Sequence, residues 1–201
     1  DIVASALPHW EKPRLWVLSR PLSGFAETFS QYIMEVSPGG GSSRPELDAC
    51  AEGVLFVVEG EMTLTIAGQQ HRMQEGGYAF IPPGASWQLF NESDAPLRFH
   101  WVRKAYEHVD GIDVPEAFVT NETDITPTEM PGTEGRWTTT RFVDPQDIRH
   151  DMHVNIVNFQ PGGVIPFAET HVMEHGLYVL EGKAVYHLNQ DWVEVEAGDY
   201  M

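Results

Sequence analysis

The sequence predicts an all-β protein that contains two copies of one β-domain. Its apolar runs are short, rich in Val, Ile, Phe and Tyr, and separated by turn residues, as in residues 53–68. Such runs are typical of antiparallel sheets that close into a sandwich or a barrel. Helix signals are scarce, and the clearest lies at residues 144–150, where Asp144 can cap and Pro145 can begin a helix. An internal repeat is the third observation.

The repeat emerges when the sequence is shifted by 122 positions, which carries residues 53–79 onto residues 175–201 without a gap. The turn glycines then coincide, as Gly60 does with Gly182. Glycine is needed where the backbone takes conformations that other residues avoid, so coinciding turn glycines indicate a shared fold.

The chain of 201 residues therefore divides into three segments. We expect a first domain at residues 1–105 and a second at residues 136–201. The linker between them, residues 106–135, is acidic and rich in turn residues. We expect it to pack against both domains.

Composition excludes several classes of partner. The chain carries 12 basic against 30 acidic residues, a net charge of -18, which argues against nucleic acid and against an anionic membrane surface. No apolar run approaches the roughly 20 residues that span a bilayer. A signal peptide is not visible in the first residues, and the single cysteine excludes an internal disulfide. These features predict a cytoplasmic protein that acts on a small molecule.

The second copy carries a metal-ligand pattern. Gly163 is followed at fixed spacings by Glu169, His171, His175 and Gly182. These spacings resemble the first motif of the cupin superfamily, G-x5-H-x-H-x3-E-x6-G, although Glu and His have exchanged places at two ligand positions. The resemblance implies a bicupin, in which two jelly-roll β-barrel domains stand in tandem.

The first copy keeps the cupin spacing without the ligands. Residues 76–91 match the second cupin motif, G-x5-P-x-G-x2-H-x3-N, but Trp87 stands where the ligand His belongs. The positions that correspond to the second copy's three ligands are Leu47, Ala49 and Gly53. None of these side chains can hold a hard divalent ion. We therefore expect metal only in the second domain.

The longer pattern E-x-H-x3-H-G-x3-L-x-G, followed by W-x2-V-x2-G-D, resembles the (S)-ureidoglycine aminohydrolase family. These are bicupin manganese enzymes of purine and allantoin catabolism, related to bacterial glyoxylate-induced proteins, and the resemblance covers essentially the whole chain. It implies that Glu169, His171, His175 and a later Gln bind the metal. The Gln would fall at position 209, beyond Met201, with a substrate-contacting Tyr and Lys further on. The second domain is therefore expected to be truncated at its C-terminus.

Geometry supports a common site for the three ligands. Glu169 and His171 are two residues apart and would share one face of a strand, while His175 would reach back after a turn. The alternative is a set of surface polar residues on an edge strand. One carboxylate and two imidazoles suit Mn, Fe or Zn, so Mn²⁺ follows from the resemblance, and other divalent ions stay open.

Other histidines and aromatic residues are weaker candidates. Tyr186 and His187 follow the turn at Gly182, and one of them is expected to point inward and contact substrate, with Tyr186 the chosen candidate. His150 and His153 would face opposite sides of a strand and so cannot chelate as a pair. We expect the core of the first barrel to contain Phe56, Phe80, Trp87 and Phe90, and Cys50 to be an inert buried thiol.

The sequence and the resemblance together predict a manganese-dependent hydrolase that releases ammonia from (S)-ureidoglycine and gives (S)-ureidoglycolate. Glu169 is the expected catalytic residue, because a carboxylate can bind metal with one oxygen and accept a substrate hydrogen bond with the other. Two alternatives stay open: another metal-dependent cupin enzyme, such as a dioxygenase or an isomerase, and a non-enzymatic binding protein. By resemblance, a homo-oligomer is expected.

Overall fold

A computed structural model of the chain describes residues 2–21 and 28–201, and nearly all of its regular structure is β-strand. Fifteen strands occur in these residues. In chain order they are β1 (Ile2–Ala4), β2 (Glu11–Ser19), β3 (Phe29–Ser42), β4 (Ala51–Glu59), β5 (Glu61–Ile66), β6 (Gln69–Gln74), β7 (Gly77–Ile81), β8 (Trp87–Phe90), β9 (Leu97–Ala105), β10 (Phe118–Asn121), β11 (Thr128–Glu129), β12 (Trp137–Arg141), β13 (Asn155–Phe159), β14 (Lys183–Leu188) and β15 (Asp191–Glu196). None of the described residues belongs to a helix long and apolar enough to cross a bilayer.

The first ten strands form one antiparallel sheet that curls into the first barrel. The strand order is β10-β7-β4-β9-β3-β8-β5-β6, with β2 paired to β3 and β1 paired to β2. Strand β3 is 14 residues long, so it pairs with β2 and β9 along its first part and with β8 at Gly41 and Ser42. Its length thereby connects the two layers of the barrel.

The interior of the first barrel is filled by large apolar side chains. Trp87 is only 8% exposed, and its ring meets that of Trp101 edge-on, with 6.0 Å between the centroids. Trp101 packs in turn against Trp10 at 5.9 Å. The prediction that Trp87 is a packing residue is thus confirmed, and the position of a cupin ligand is occupied by an indole. The other buried members of this cluster are Leu15, Met34, Val36, Leu55, Val57, Met62, Leu64, Ile66, Met73, Ala79, Ile81, Leu89, Leu97 and Phe99.

A second apolar cluster lies on the outer face of this barrel, where the second domain packs. It contains Phe56, Phe80 and Phe142, and the Phe142 ring of the second domain stacks on Tyr78 at 4.1 Å. The prediction that Phe56 and Phe80 are core residues is confirmed, although they belong to this second cluster and not to that of Trp87, and Phe90 is only partly buried. Successive residues of a strand point to opposite faces of the sheet. The chain neighbours of Phe56 point into the barrel, so Phe56 points out of it.

The second domain repeats a hairpin of the first. Strands β14 and β15 lie 122 positions after β5 and β6, and a glycine with a φ of 81° precedes each hairpin. The register also agrees, since Glu61 pairs with Gln74 and Lys183 pairs with Glu196. The repeat predicted from the sequence is therefore confirmed.

The described residues of the second domain form two separate pieces. One is the sheet β11-β12-β13, to which the linker contributes β11, and the other is the hairpin β14-β15, whose backbone pairing continues through the bridge between Tyr178 and Tyr200. In the first barrel, β9 joins β4 to β3 and β8 joins β3 to β5. The described residues of the second domain contain no counterpart of these two joining strands. Large apolar side chains of the pieces stay exposed, among them Val157, Phe159, Val185, Trp192 and Val193.

Residues 106–135 contact both domains, as expected for the linker. Strand β10 (Phe118–Asn121) pairs with β7 of the first barrel, and β11 (Thr128–Glu129) pairs with β12 of the second domain. A 3-10 turn at Glu122–Asp124 lies between them and is capped by Asn121, whose side chain accepts a hydrogen bond from the Thr123 N–H.

The helix predicted at residues 144–150 does not form. The Asp144 side chain does accept a hydrogen bond from the Gln146 N–H at 2.9 Å, but Asp147 makes the same kind of turn with the Arg149 N–H at 3.1 Å. These successive side chain–backbone turns take the place of helical hydrogen bonds.

Candidate metal centre

The three predicted ligands lie in a segment without regular strand structure between β13 and β14. Within it, His171 and His175 come together, with 4.5 Å between their ring centroids and 55° between the ring planes. Both side chains are exposed to solvent. The structure therefore brings two of the three predicted ligands into contact.

Glu169 is not grouped with the two imidazoles. Among residues 2–21 and 28–201, no three His, Cys, Asp or Glu side chains form a group that could hold a metal ion. The strand expected to carry Glu169 and His171 on one face is also absent. In the first barrel the corresponding residues, Leu47 and Ala49, also precede the first residue of β4, Ala51. Neither copy therefore has, at these positions, the ladder partner that would impose the alternating geometry of a strand.

The chain after His175 packs against the outer face of the first barrel. The Tyr178 ring packs against His100 at 4.6 Å between centroids, and burial lowers the pKa of His100 to about 4, so its imidazole is neutral. The Tyr200 hydroxyl donates to Ser19 Oγ at 2.8 Å. The first barrel therefore contacts the second domain close to the predicted ligands.

Tyr186 and His187 point to opposite faces of β14. Tyr186 is half-buried, and burial raises the pKa of its phenol. His187 is exposed, and its ring stacks on that of Trp192 at 4.5 Å. Tyr186 is the less exposed of the two, and its contact with substrate stays a prediction.

His150 and His153 lie in a loop and not in the expected strand. Their ring centroids are 6.5 Å apart. The His150 ring packs edge-on against Phe80 at 4.6 Å, and burial lowers the pKa of this imidazole. His150 therefore packs the loop of the second domain onto the first barrel.

Cys50 is exposed, so the prediction of a buried thiol is wrong. The residue lies in the turn before β4, where its N–H donates to Asp48 Oδ1 and its carbonyl accepts from the Tyr106 N–H, both at 2.9 Å. These bonds fix the backbone of the turn and leave the thiol at the surface.

A buried carboxyl group beside the second domain was missed by the sequence reasoning. Glu52 is 1% exposed, and in the described structure neither of its side-chain oxygens has a hydrogen-bond donor. Its neighbour is the Asp151 carboxylate, which accepts from Lys104 Nζ at 2.8 Å and from the Glu107 N–H at 2.9 Å. Burial, and then Asp151, raise the pKa of Glu52 to about 9.

Asp151 is affected in the opposite direction. Burial alone would raise the pKa of Asp151, but the adjacent Glu52 carboxyl and the hydrogen bonds from Lys104 and the Glu107 N–H lower it below its usual range. A protonated Glu52 can therefore donate to an ionised Asp151. One signal was available in the sequence, because Glu52 corresponds to Glu174 in the repeat.

Comparison with known families identifies both domains. Residues 23–106 match the family described as EutQ-like cupin domain, and residues 155–201 match the family described as cupin domain. Both halves of the chain therefore carry a cupin signature.

Two curated relatives match the chain over nearly its whole length. It is 28% identical over 202 residues to the (S)-ureidoglycine aminohydrolase of Escherichia coli (strain K12), which covers 100% of the chain and 75% of that protein. It is 31% identical over 200 residues to the (S)-ureidoglycine aminohydrolase of Arabidopsis thaliana, which covers 99% of the chain and 64% of the plant protein. The chain thus spans less than two thirds of the plant relative.

A solved structure agrees more closely. The crystal structure of a protein from Pseudomonas aeruginosa, described as glyoxylate-induced, superimposes with a TM-score of 0.93 at 72% sequence identity. The match covers 100% of the chain and 75% of the Pseudomonas protein. The similarity therefore extends through both domains and the segment that joins them.

Proposed function

Because the chain belongs to the bicupin family of the (S)-ureidoglycine aminohydrolases and glyoxylate-induced proteins, we propose that it is a manganese-dependent hydrolase. Its reaction releases ammonia from (S)-ureidoglycine and forms (S)-ureidoglycolate, a step of allantoin catabolism. The observation that carries the proposal is the ligand pattern of Glu169, His171 and His175, present in the second copy and missing from the first.

The residues fit a divalent cation by their chemistry. His171 and His175 already lie side by side, at 4.5 Å between ring centroids, and each offers an imidazole nitrogen. Glu169, two residues before His171, offers a carboxylate oxygen. This set suits Mn, Fe or Zn, and the family membership favours manganese. When bound, the ion would supply a positive centre that binds the amine or the carboxylate of the substrate.

Two side chains of this domain would act on the substrate itself. The second oxygen of Glu169 would accept a hydrogen bond from the substrate amine and orient the carbon that reacts. Tyr186, a neutral phenol whose pKa burial raises further, would donate from its hydroxyl to a substrate oxygen. During the reaction the bond between that carbon and the amine breaks, water supplies the hydroxyl, and the amine leaves as ammonia.

The proposal is tested by an ammonia-release assay on the full-length protein loaded with manganese. Ureidoglycine is generated freshly, its spontaneous decay is subtracted, and the ureidoglycolate is resolved into its enantiomers. We expect rapid ammonia release with an excess of the S product, and we expect the His171→Ala variant to release none above the blank. The His153→Ala variant is the matched control and should remain active.

The competing functions give different results in the same assay. Oxygen consumption that depends on iron would indicate a dioxygenase. Binding of ureidoglycine without turnover, at full manganese loading, would indicate a binding protein. Either result would refute the hydrolase.

We further propose that the protein works in the cytoplasm as a homo-oligomer. The single cysteine and the acidic charge balance are compatible with a reducing compartment. Size-exclusion chromatography with light scattering tests the oligomer, and a monomeric mass at assay concentration would refute it.

A further inference from the structure

We propose that the first barrel, although it has no metal ligands, positions the ligand segment of the second domain around His175. This inference rests on the proposed metal-binding function. Its basis is two contacts, one on each side of His175, through Glu174 and Gly176. Both reach residues at the start of β3, Thr28 and Gln31.

The first contact fixes Glu174, the residue before His175. The N–H and the hydroxyl of Thr28 both donate to Glu174 Oε2, at 3.0 Å and 2.7 Å. Hydrogen bonds to an ionised carboxylate are stronger than bonds between neutral groups. Glu174 and Thr28 are 146 residues apart in sequence, so this bond ties the two domains directly.

The second contact fixes Gly176, the residue after His175. A Cβ added at Gly176 would clash with the Tyr200 hydroxyl and would lie 2.8 Å from Gln31 Oε1 and 3.0 Å from Phe29 Cζ. Gln31 and Phe29 are buried, and moving Tyr200 would break its hydrogen bond to Ser19. Only glycine lets the backbone beside His175 approach the first barrel this closely.

These two contacts hold the ligand segment just before its own strand pairing begins. Backbone pairing starts at Leu177, which exchanges hydrogen bonds with Met201, so residues 174–176 lie next to the paired residues and against the first barrel. Thr28 and Gly176 are therefore positioning residues, which act through His175 and do not touch the substrate.

The test measures Mn²⁺ affinity, which does not require turnover. Full-length wild type, Thr28→Val, Thr28→Ser and Gly176→Ala are titrated with MnCl₂ and followed by electron paramagnetic resonance of the free ion. We expect Kd to rise about tenfold or more for Gly176→Ala and about threefold to tenfold for Thr28→Val, on the scale of one or two lost charge-assisted hydrogen bonds. Thr28→Ser keeps the hydroxyl and should restore the wild-type Kd.

Controls separate positioning from general stability. Thr63 also donates its hydroxyl to a glutamate, Glu92, but on the first barrel's own surface, so Thr63→Val should leave the Mn²⁺ affinity unchanged. Hydrogen exchange of residues 171–177 without metal should be faster in Thr28→Val than in wild type or Thr63→Val. This second readout applies even if Gly176→Ala does not fold.

The outcomes also separate this inference from the proposed function. If Thr28→Val lowers the melting temperature but leaves both Kd and the exchange of residues 171–177 unchanged, the contact is merely structural and the inference is refuted. Wild type that binds Mn²⁺ but releases no ammonia would refute the proposed function alone. Wild type that binds no divalent ion would refute both.

Discussion

Replacing Glu52 with glutamine should change how the stability of the protein depends on pH. Burial raises the pKa of Glu52 to about 9 in the folded protein, against 4.5 for an unperturbed glutamate. Between these pH values the folded protein keeps a proton that the unfolded chain has released. The unfolded state therefore binds fewer protons than the folded state in this range. The stability that this group contributes is fully present below about pH 4.5 and is lost as the pH rises toward 9.

The magnitude follows from linkage. One proton of difference corresponds to about 1.4 kcal/mol of unfolding free energy per pH unit. From pH 5 to pH 8 the wild type should therefore lose about 4 kcal/mol through Glu52 alone. Glutamine has a similar shape, stays neutral throughout, and can donate its amide N–H to Asp151. The free energy of unfolding of Glu52→Gln, minus that of wild type, should rise by about 4 kcal/mol over this range.

The assay is urea unfolding, followed by tryptophan fluorescence, of both proteins at pH 5, 6, 7 and 8. Other titrating groups are common to both proteins, so the difference isolates Glu52. Glu61→Gln is the control for removing one carboxylate, because Glu61 pairs with Arg72 on the exposed face of β5 and not with a buried carboxylate. A constant difference for Glu52→Gln would show that Glu52 is ionised in the folded protein, and the reasoning would be wrong.

Three further predictions concern the two barrels. Trp87→Ala should lower the unfolding free energy by about 3–5 kcal/mol in urea titrations. Trp87→His should also destabilise the protein, and it should bind no metal in the first barrel. An unchanged unfolding midpoint would mean that the indole is not a packing residue. Elemental analysis of the full-length protein should find about one divalent ion per chain and none in His171→Ala, and a value near two would contradict a metal-free first barrel. Glu169→Gln should retain part of its manganese, but its rate of ammonia release should fall at least about tenfold, which corresponds to about 1.4 kcal/mol of transition-state stabilisation. Full activity of this variant would exclude the proposed role of Glu169.

Local geometry explains why much of the fold could be predicted from the sequence. The hairpins β5-β6 and β14-β15 repeat at the predicted shift because each is defined by a glycine with positive φ and by the period of its own strands. The loss of ligands from the first copy could be predicted for a similar reason, since it depends only on which side chains are present. The place of Trp87 in the core followed from its position in the cupin motif.

The two-domain β-architecture, the turns and the metal-ligand pattern could therefore be inferred from the residues alone. The packing of the folded chain was needed to show which apolar face of β4 lies inside the barrel, because both faces are apolar and one is covered by the second domain. It also decided that Glu52 is buried beside Asp151 and that Glu174 bonds to Thr28, 146 residues away. Burial and long-range contacts depend on which surfaces meet after folding, and the local pattern of residues contains no information about that meeting.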